Sequence, residues 1–244
     1  MTEPCDKPID PSATTARVMV FIDGQNLYKG LNRRHGVRLH PLLLARELTG
    51  PDRHLAGTHY YSGIHDPEVN ASMYQLVRRR HDLIRRTGVL VTERTLHYHW
   101  EWRVEHDDVP PPWYDNAPTR TKARVFKHRA AREKGIDVAL ALDAVGSILT
   151  DACDVAIIVS RDRDLMEIAD EVRSRCKGVR PMRVEVAYVS EQRGDEDRIQ
   201  ETLGGYDGFH EIDDHIIDAA RDTFDYGRKL KNADVEQFLV DIGV

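Results

Sequence analysis

Two short apolar runs, each followed closely by an aspartate, constrain the fold of this 244-residue chain more than any other feature. Residues 18–22 lead directly into Asp23, and residues 155–159 lead through a Ser-Arg pair into Asp162. Both runs are uncharged and rich in β-branched residues, which is typical of strands buried on both faces of a parallel sheet. Such strands end at one shared edge, where ligands bind. We therefore predict that Asp23 and Asp162 lie close together.

Strand and helix patterns alternate along most of the chain, which predicts an α/β domain with helices on both faces of a mainly parallel sheet. The predicted helix at 137–149 carries Val138, Leu142 and Val145 on one face. The other predicted helices cover residues 25–34, 41–48, 67–86 and 164–176, and the predicted strands cover 18–22, 59–61, 89–96, 154–159 and 184–189.

Residues 97–121 interrupt this alternation, and the three prolines at 110–112 exclude a helix or a central strand there. We predict a long irregular loop, of the kind that often carries function. Its aromatic residues could stack on unpaired bases or only pack the loop onto the domain, and the sequence leaves both readings open. These residues are Tyr98, Trp100, Trp102, Trp113 and Tyr114.

The same segment is rich in histidine, which raises the question of a zinc site. A structural zinc site needs four closely spaced ligands, usually including cysteines. The segment has no cysteine, so zinc is disfavoured. The residues concerned are His97, His99, His106, Asp107 and Asp108.

The three cysteines, Cys5, Cys153 and Cys176, form no CxxC pair and are odd in number. This pattern disfavours a disulfide framework and fits a reducing compartment. No apolar stretch reaches the roughly 18 residues that a membrane span needs, and the N-terminus lacks the basic and apolar pattern of a secretory signal. We therefore predict a cytoplasmic protein without a membrane partner.

Basic residues concentrate in one run, although the net charge is -6. The run covers residues 120–134, contains a single acid, Glu133, and adjoins both the predicted loop and Asp137. A local basic surface can steer a phosphate backbone even on an acidic protein, so we predict a nucleic-acid surface here. A second cluster at 78–86 is equally well explained as a solvated helix face. The predicted backbone contacts are Arg120, Lys122, Arg124, Lys127, Arg129 and Lys134.

We predict three sections along the chain. Residues 1–16 form a disordered leader, residues 17–192 form the α/β domain, and residues 193–244 form an acidic, mostly helical extension. The extension could dock on the domain, occupy its basic groove, or contact a protein partner or a second copy of the chain. The sequence does not choose among these roles.

Three segments resemble the motifs of NYN domains, which belong to the PIN-like nuclease superfamily. Residues 20–27 resemble the first motif, residues 134–143 the second and residues 155–165 the third, in the expected order. The resemblance covers about residues 18–189. It implies a three-layer α/β/α, PIN-like (Rossmannoid) fold with a divalent-metal site for cutting RNA.

The resemblance also assigns the site residue by residue. Asp23, Asp137 and Asp162 match the acidic positions, and Asp164 matches a fourth. Asn26 matches the polar residue after the first acid, which would orient a carboxylate or a metal-bound water. These five residues are the predicted catalytic set.

Two further residues are secondary candidates. Ser160 could position the third loop. Asp143 lies six residues after Asp137, about 1.7 helical turns, so its side chain points in another direction. Taken singly, Asp137 and Asp164 could be only helix caps and Asp23 a turn former, but capping does not explain a set of acids at one sheet edge.

Carboxylate oxygens are hard ligands that suit Mg²⁺ or Mn²⁺. We therefore predict a catalytic metal held by Asp23, Asp137, Asp162 and Asp164. A bound metal activates water and stabilises the charge that grows on a phosphate. The expected reaction is RNA hydrolysis that leaves a 5′-phosphate and a 3′-hydroxyl.

The third motif departs from the family pattern at Arg161 and Arg163, where Gly and Ser are common. The two arginines could pair with the acids and weaken metal binding, or bind the RNA backbone. The first reading favours an RNA-binding regulatory or adaptor module over a metal-dependent ribonuclease. A small-molecule phosphohydrolase of the haloacid-dehalogenase class is disfavoured, because residue 25 is Gln where an Asp-x-Asp motif needs Asp.

Overall fold

The computed structural model describes residues 15–34, 36–106, 123–176, 182–190, 196–227 and 231–244. None of the helices among these residues combines the length and apolarity needed to cross a membrane. The strands are β1 (Arg17–Asp23), β2 (His54–Ile64), β3 (Leu90–Thr95), β4 (His97–His106), β5 (Ala123–Arg132), β6 (Val155–Val159), β7 (Arg183–Tyr188) and β8 (Gly208–Glu211). The helices are α1 (Gly24–Arg34), α2 (Pro41–Thr49), α3 (Ala71–Arg86), α4 (Ile136–Leu149), α5 (Glu167–Cys176), α6 (Glu196–Thr202), α7 (Asp214–Ala219) and α8 (Asn232–Asp241), and a 3-10 turn, Arg163–Met166, precedes α5.

Six parallel strands form the central sheet in the order β3-β2-β1-β6-β7-β8. Strand β1 lies beside β6, with Ile22 opposite Val159. Strands β2 and β3 follow β1 on one side of the sheet, and strands β7 and β8 follow β6 on the other side. The direction in which strands are added therefore reverses between β1 and β6. Ligands bind at such a switch point, at the carboxyl ends of the strands. The predicted mainly parallel α/β fold is confirmed.

Helices cover both faces of the sheet, because successive residues of a strand point to opposite sides. Val20 and Ile22 of β1 pack with Leu31 of α1 on one face. Phe21 points to the other face and packs in a cluster with Leu140 of α4. Strand β1 is therefore buried from both sides, and the residue that follows its apolar run is held in a fixed position.

The predicted face of α4 is exposed. Val138 is 63% and Leu142 69% accessible, while Val145 is partly buried. Helix α4 is apolar on several sides, so its hydrophobic spacing does not select the side that packs on the sheet. The buried side consists of Ile136, Leu140, Ala144 and Ile148.

The prediction of an irregular loop from residue 97 is wrong for residues 97–106. These residues form β4, which pairs antiparallel with β5 over its whole length. Tyr98, Trp100, Trp102 and Val104 alternate with polar residues here, and this period-two pattern is the strand signal that the loop prediction overlooked. Several residues of the predicted loop, and the whole predicted leader except its last two residues, lie outside the described residues: 1–14, the prolines at 110–112, Asp107, Asp108, Trp113 and Tyr114.

The C-terminal section contributes to both the sheet and the core. Strand β8 pairs with β7, and Ile212 and Ile217 join the cluster that contains β1. Tyr226 and Phe238 pack against Leu83 of α3. The section therefore docks on the domain through its apolar residues, and the division after residue 192 stays a prediction.

Candidate active site

Asp23 is buried at the carboxyl end of β1, where α1 begins. Its Oδ1 accepts a hydrogen bond from the Asn26 backbone N–H at 2.9 Å, which satisfies one free amide of the helix start. The next residue must be glycine, because a Cβ on Gly24 would lie 2.6 Å from the Tyr60 hydroxyl and 2.7 Å from the Tyr61 carbonyl oxygen. This tight turn fixes the Asp23 carboxylate at the switch point.

Ser160 and Asn26 join the two loops on either side of the switch point. Ser160 donates its hydroxyl to Asp23 Oδ2 at 3.2 Å and accepts the backbone N–H of Asp162 at 3.1 Å. The amide oxygen of Asn26 accepts the backbone N–H of Arg161 at 3.0 Å. Both side chains therefore hold the loop after β6 against the end of β1.

Asp162 and Asp164 follow β6. Asp162 caps the 3-10 turn, because its Oδ1 accepts the Asp164 backbone N–H at 3.0 Å. Asp164 lies exposed in that turn. One carboxylate oxygen of Asp162 is thus used for local structure, and its side chain still reaches the cavity described below.

Asp137 lies in the first turn of α4 but does not cap it. The cap residue is Gly135, whose φ of 77° is left-handed and favours glycine. Partial desolvation, together with the negative charges of Asp162 and Asp164, raises the pKa of Asp137. Burial also raises the pKa of Asp23, and the charge of Asp137 adds to this effect.

Glu133 is a fifth acid at this site, and the sequence patterns did not identify it. Its Oε2 accepts the Gly63 backbone N–H at 3.0 Å. Burial and the charge of Asp23 raise its pKa to about 7. In the sequence, Glu133 stands alone in a basic run, and its position just before the Lys134-Gly135 turn into the second motif was the available signal.

A small polar cavity of about 100 Å³ is lined by most of these residues, but not by Asp164 or Ser160. Lys29 of α1 reaches it and donates to Gln25 Oε1 at 3.0 Å, so one ammonium group lies among the acids. Its positive charge lowers the pKa of Asp137 and of Glu133, against the larger effects that raise them. We call this the acidic cavity; its lining includes Asp23, Gln25, Asn26, Lys29, Glu133, Gly135, Ile136, Asp137 and Asp162.

The donor chemistry of the acidic cavity fits Mg²⁺ or Mn²⁺. Burial is the main cause of the raised pKa values of Asp23 and Asp137, and the neighbouring negative charges add to it; a cation would offset both effects. In the described part of the chain, no three His, Cys, Asp or Glu side chains gather closely enough to hold an ion by themselves. Mg²⁺ tolerates this, because it binds through one or two carboxylates and keeps several waters.

Asp143 faces away from the acidic cavity. Its Oδ2 accepts the hydroxyl of buried Tyr61 at 2.8 Å. Burial and this partner raise the pKa of Tyr61. Asp143 therefore serves the packing of α4 on the sheet.

Aromatic and basic side chains share one face of the β4–β5 ribbon. Residues opposite each other in a ladder point to the same side, and Trp100 pairs with Arg129 while Trp102 pairs with Lys127. Both indole side chains are 66% exposed. The Lys127 ammonium lies 4.9 Å from the Trp102 ring centroid, and the Arg129 guanidinium lies 5.2 Å from the Tyr98 centroid. We call these five residues the hairpin face.

Three of the remaining predicted RNA contacts are next to lining residues of the acidic cavity in the sequence, because Lys134 precedes Gly135 and Arg161 and Arg163 flank Asp162. Lys134 and Arg163 are exposed, and Arg161 is partly buried. Within the described residues, Arg163 forms no ion pair with a carboxylate. Arg120, Lys122 and the side chain of Arg124 lie outside the described residues.

A parallel α/β/α sheet with acids at its switch point is consistent with a PIN-like domain. The chain matches the NYN domain family over residues 17–201 and belongs to that family. The family is generally nuclease-like, and such nucleases usually use divalent metals.

A solved structure supports the fold. The chain is similar to a protein of unknown function from Vibrio parahaemolyticus RIMD 2210633, with a TM-score of 0.51 and 17% sequence identity. The similarity covers 84% of this chain and 98% of the other. At this identity the likeness concerns the fold alone. No curated protein is similar enough to count as a match.

Proposed function

We propose that this protein is a metal-dependent endoribonuclease. The observation that carries the proposal is the acidic cavity, in which Asp23, Asp137, Asp162 and Glu133 converge at the switch point of a NYN domain. Asp23, Asp162 and Glu133 each accept a backbone hydrogen bond, but these bonds do not remove the repulsion among four acids in so small a space. A divalent cation would relieve that repulsion and serve phosphate chemistry.

The acids and the two loop-joining residues of the site have distinct roles in this proposal. Of the four predicted ligands, Asp23, Asp137 and Asp162 line the cavity and Asp164 does not. One or two of these carboxylates, with water, would hold Mg²⁺ or Mn²⁺, which when bound would acidify a water and stabilise charge on the phosphate. Asn26 and Ser160 keep the two loops in register. Glu133 is suited to accept or return a proton at its carboxyl group, because its pKa of about 7 lies near neutral pH.

The hairpin face supports RNA, and single-stranded RNA in particular, as the substrate. Exposed indole rings stack on unpaired bases whatever their sequence. The adjoining Lys127 and Arg129 are suited to bind phosphates of the same strand. Lys134 and Arg163 extend this basic character toward the acidic cavity.

A second candidate function is RNA binding without cleavage, as a regulatory or adaptor module. It is favoured by the absence, in the described residues, of three acids close enough to hold an ion directly. The arginines at positions 161 and 163 add positive charge beside Asp162. In this second function the hairpin face binds the RNA, and the acidic cavity does not catalyse a reaction.

Cleavage of end-labelled RNA with Mg²⁺ or Mn²⁺ tests the proposal. We expect metal-dependent cutting by the wild type and a loss of at least a hundredfold in Asp23→Asn and Asp162→Asn. The matched control is Asp170→Asn, because Asp170 is exposed on α5 outside the cavity. This control should cut as the wild type does.

The end groups of the cleaved RNA and the binding of uncleaved RNA distinguish the ribonuclease from the RNA-binding module. The proposal expects 5′-phosphate and 3′-hydroxyl ends, and metal-independent cyclic phosphates would contradict it. A wild type that binds RNA without metal-dependent cutting would instead support the binding module. Equal cutting by all the variants would exclude both mutated acids from the reaction.

A further inference from the structure

A second and much larger cavity adjoins the acidic cavity. It has a volume of about 450 Å³ and lies between α1, α3 and the end of β2. Gln25 and Glu133 line both cavities. A molecule in the larger cavity would therefore reach the acids of the smaller one.

The walls of the larger cavity are apolar, and part of its polar lining is rigid. Arg80 donates to the Tyr60 hydroxyl at 2.9 Å and to the Leu39 carbonyl at 3.1 Å, and it pairs with Asp222 at 3.3 Å. These bonds fix the guanidinium in one orientation. Apolar walls with a few fixed polar groups are typical of small-molecule sites, whose volumes run from about 300 to 1,000 Å³.

Apolar residues in the first half of α3 are left incompletely covered by the protein. Leu83 and Ile84, near the end of this helix, are buried, whereas Leu76 is partly exposed and Met73 is 38% exposed. Both line the larger cavity. Tyr28 of α1, 52% exposed, also lines it, so a phenol ring is available to stack on a flat ligand.

The larger cavity also adjoins the hairpin face. His65 lines the cavity, and its Nδ1 lies 2.6 Å from the Tyr98 hydroxyl oxygen. Tyr98 begins the hairpin face. The sites are thus linked in space, from the hairpin face to the larger cavity through His65, and from there to the acidic cavity through Glu133.

We propose that the larger cavity receives one unpaired nucleobase of the RNA, next to the bond that is cut. This inference rests on the proposed function and adds a determinant of the cleavage position. A base turned into the cavity would stack on Tyr28 and present its polar edge to the fixed groups inside. Its own backbone would then lie beside Glu133 and the acidic cavity.

The test uses a set of RNAs in which a single abasic site is moved along one sequence. We expect cleavage to fall about tenfold when the missing base belongs to one fixed position relative to the cut, since base stacking on aromatic rings has this magnitude. Met73→Trp, which fills the cavity from its rim, should abolish that position dependence. Met73→Leu, the volume-matched control, should retain it.

A binding measurement without metal keeps the inference separate from the cleavage chemistry. RNA that carries 2-aminopurine at the same position should lose fluorescence when bound, and Tyr28→Ala should reduce this quenching. Tyr28→Ala also serves as the second variant if Met73→Trp fails to fold, as judged by circular dichroism.

The outcomes differ for the two proposals. Metal-dependent cutting with equal effects of an abasic site at every position overturns the base site and leaves the ribonuclease intact. Binding without cutting, with quenching at one position only, supports the base site and overturns the ribonuclease. Failure to bind RNA at all overturns both.

Discussion

Neutralising Glu133 should stabilise the metal-free protein. The carboxyl group of Glu133 ionises at a pKa of about 7 in the folded chain, against an ordinary value of 4.5. Below pH 4.5 Glu133 is protonated in the folded and in the unfolded protein, and it does not change the free energy of unfolding. Between pH 4.5 and pH 7 Glu133 ionises in the unfolded protein but not in the folded one, which lowers the free energy of unfolding. This loss of stability persists above pH 7.

The magnitude follows from the pKa difference. The pKa difference between the folded and the unfolded protein corresponds to about 3 kcal/mol of free energy of unfolding. We reduce this figure to about 2 kcal/mol, because the side chain is only half-buried and water screens part of the repulsion. Glu133→Gln keeps an oxygen that can accept the Gly63 N–H and removes the charge. In a chain of this size, about 2 kcal/mol corresponds to a rise in Tm of roughly 4–8 °C.

Thermal unfolding of both proteins at pH 8 and at pH 4, without divalent metal, measures this effect. The variant should be more stable at pH 8 and equal to the wild type at pH 4. Mg²⁺ should narrow the difference at pH 8, since it offsets the same repulsion. The control variant Glu236→Gln changes an exposed position on α8 and should leave the Tm unchanged at pH 8 and at pH 4. A variant that is no more stable than the wild type at pH 8 would refute the electrostatic reasoning.

Three further predictions concern other parts of the molecule. His40 is fully buried, its ring nitrogens have no hydrogen-bond partner within the described residues, and burial lowers its pKa to about 4. The wild type should therefore lose up to about 3 kcal/mol as the pH falls from 6.5 to 4, and His40→Phe should remove that loss in urea unfolding measured at both pH values. Trp100→Ala should weaken single-stranded RNA binding about tenfold in a filter-binding or anisotropy titration, whereas His99→Ala, on the opposite side of the ribbon, should not. Tyr61→Phe removes the hydrogen bond to Asp143 and should lower the free energy of unfolding by about 1 kcal/mol without changing the cleavage rate. If the folded variant cut RNA more slowly than the wild type, Asp143 would have a part in the reaction.

The central sheet could be predicted because its strands carry strong local signals. The apolar runs of β1 and β6 are long enough, and free enough of charge, to indicate strands buried on both sides. The acids that follow them mark strand ends, so the proximity of Asp23 and Asp162 follows from parallel topology alone. The position of Asp137 needed the family resemblance as well.

The features that the sequence patterns missed depend on tertiary contacts. Strand β4 is the exception, because Tyr98, Trp100, Trp102 and Val104 alternate with polar residues and already indicate a strand in the sequence. The side of α4 that packs inward is chosen by the sheet and not by a helix with apolar residues on several sides. Glu133 gains its high pKa only when Asp23, remote in sequence, is brought beside it. Neither composition nor spacing contains that information.

The connection between β5 and α4 is short. Strand β5 ends at Arg132 and helix α4 begins at Ile136, so only residues 133–135 separate them. Glu133 leads this short connection, Gly135 turns it, and Asp137 follows at once. The ribbon that carries the exposed indoles and the helix that carries an acid of the cavity are thus joined by only three residues. An insertion or deletion within residues 133–135 would therefore change the spacing between the ribbon and Asp137.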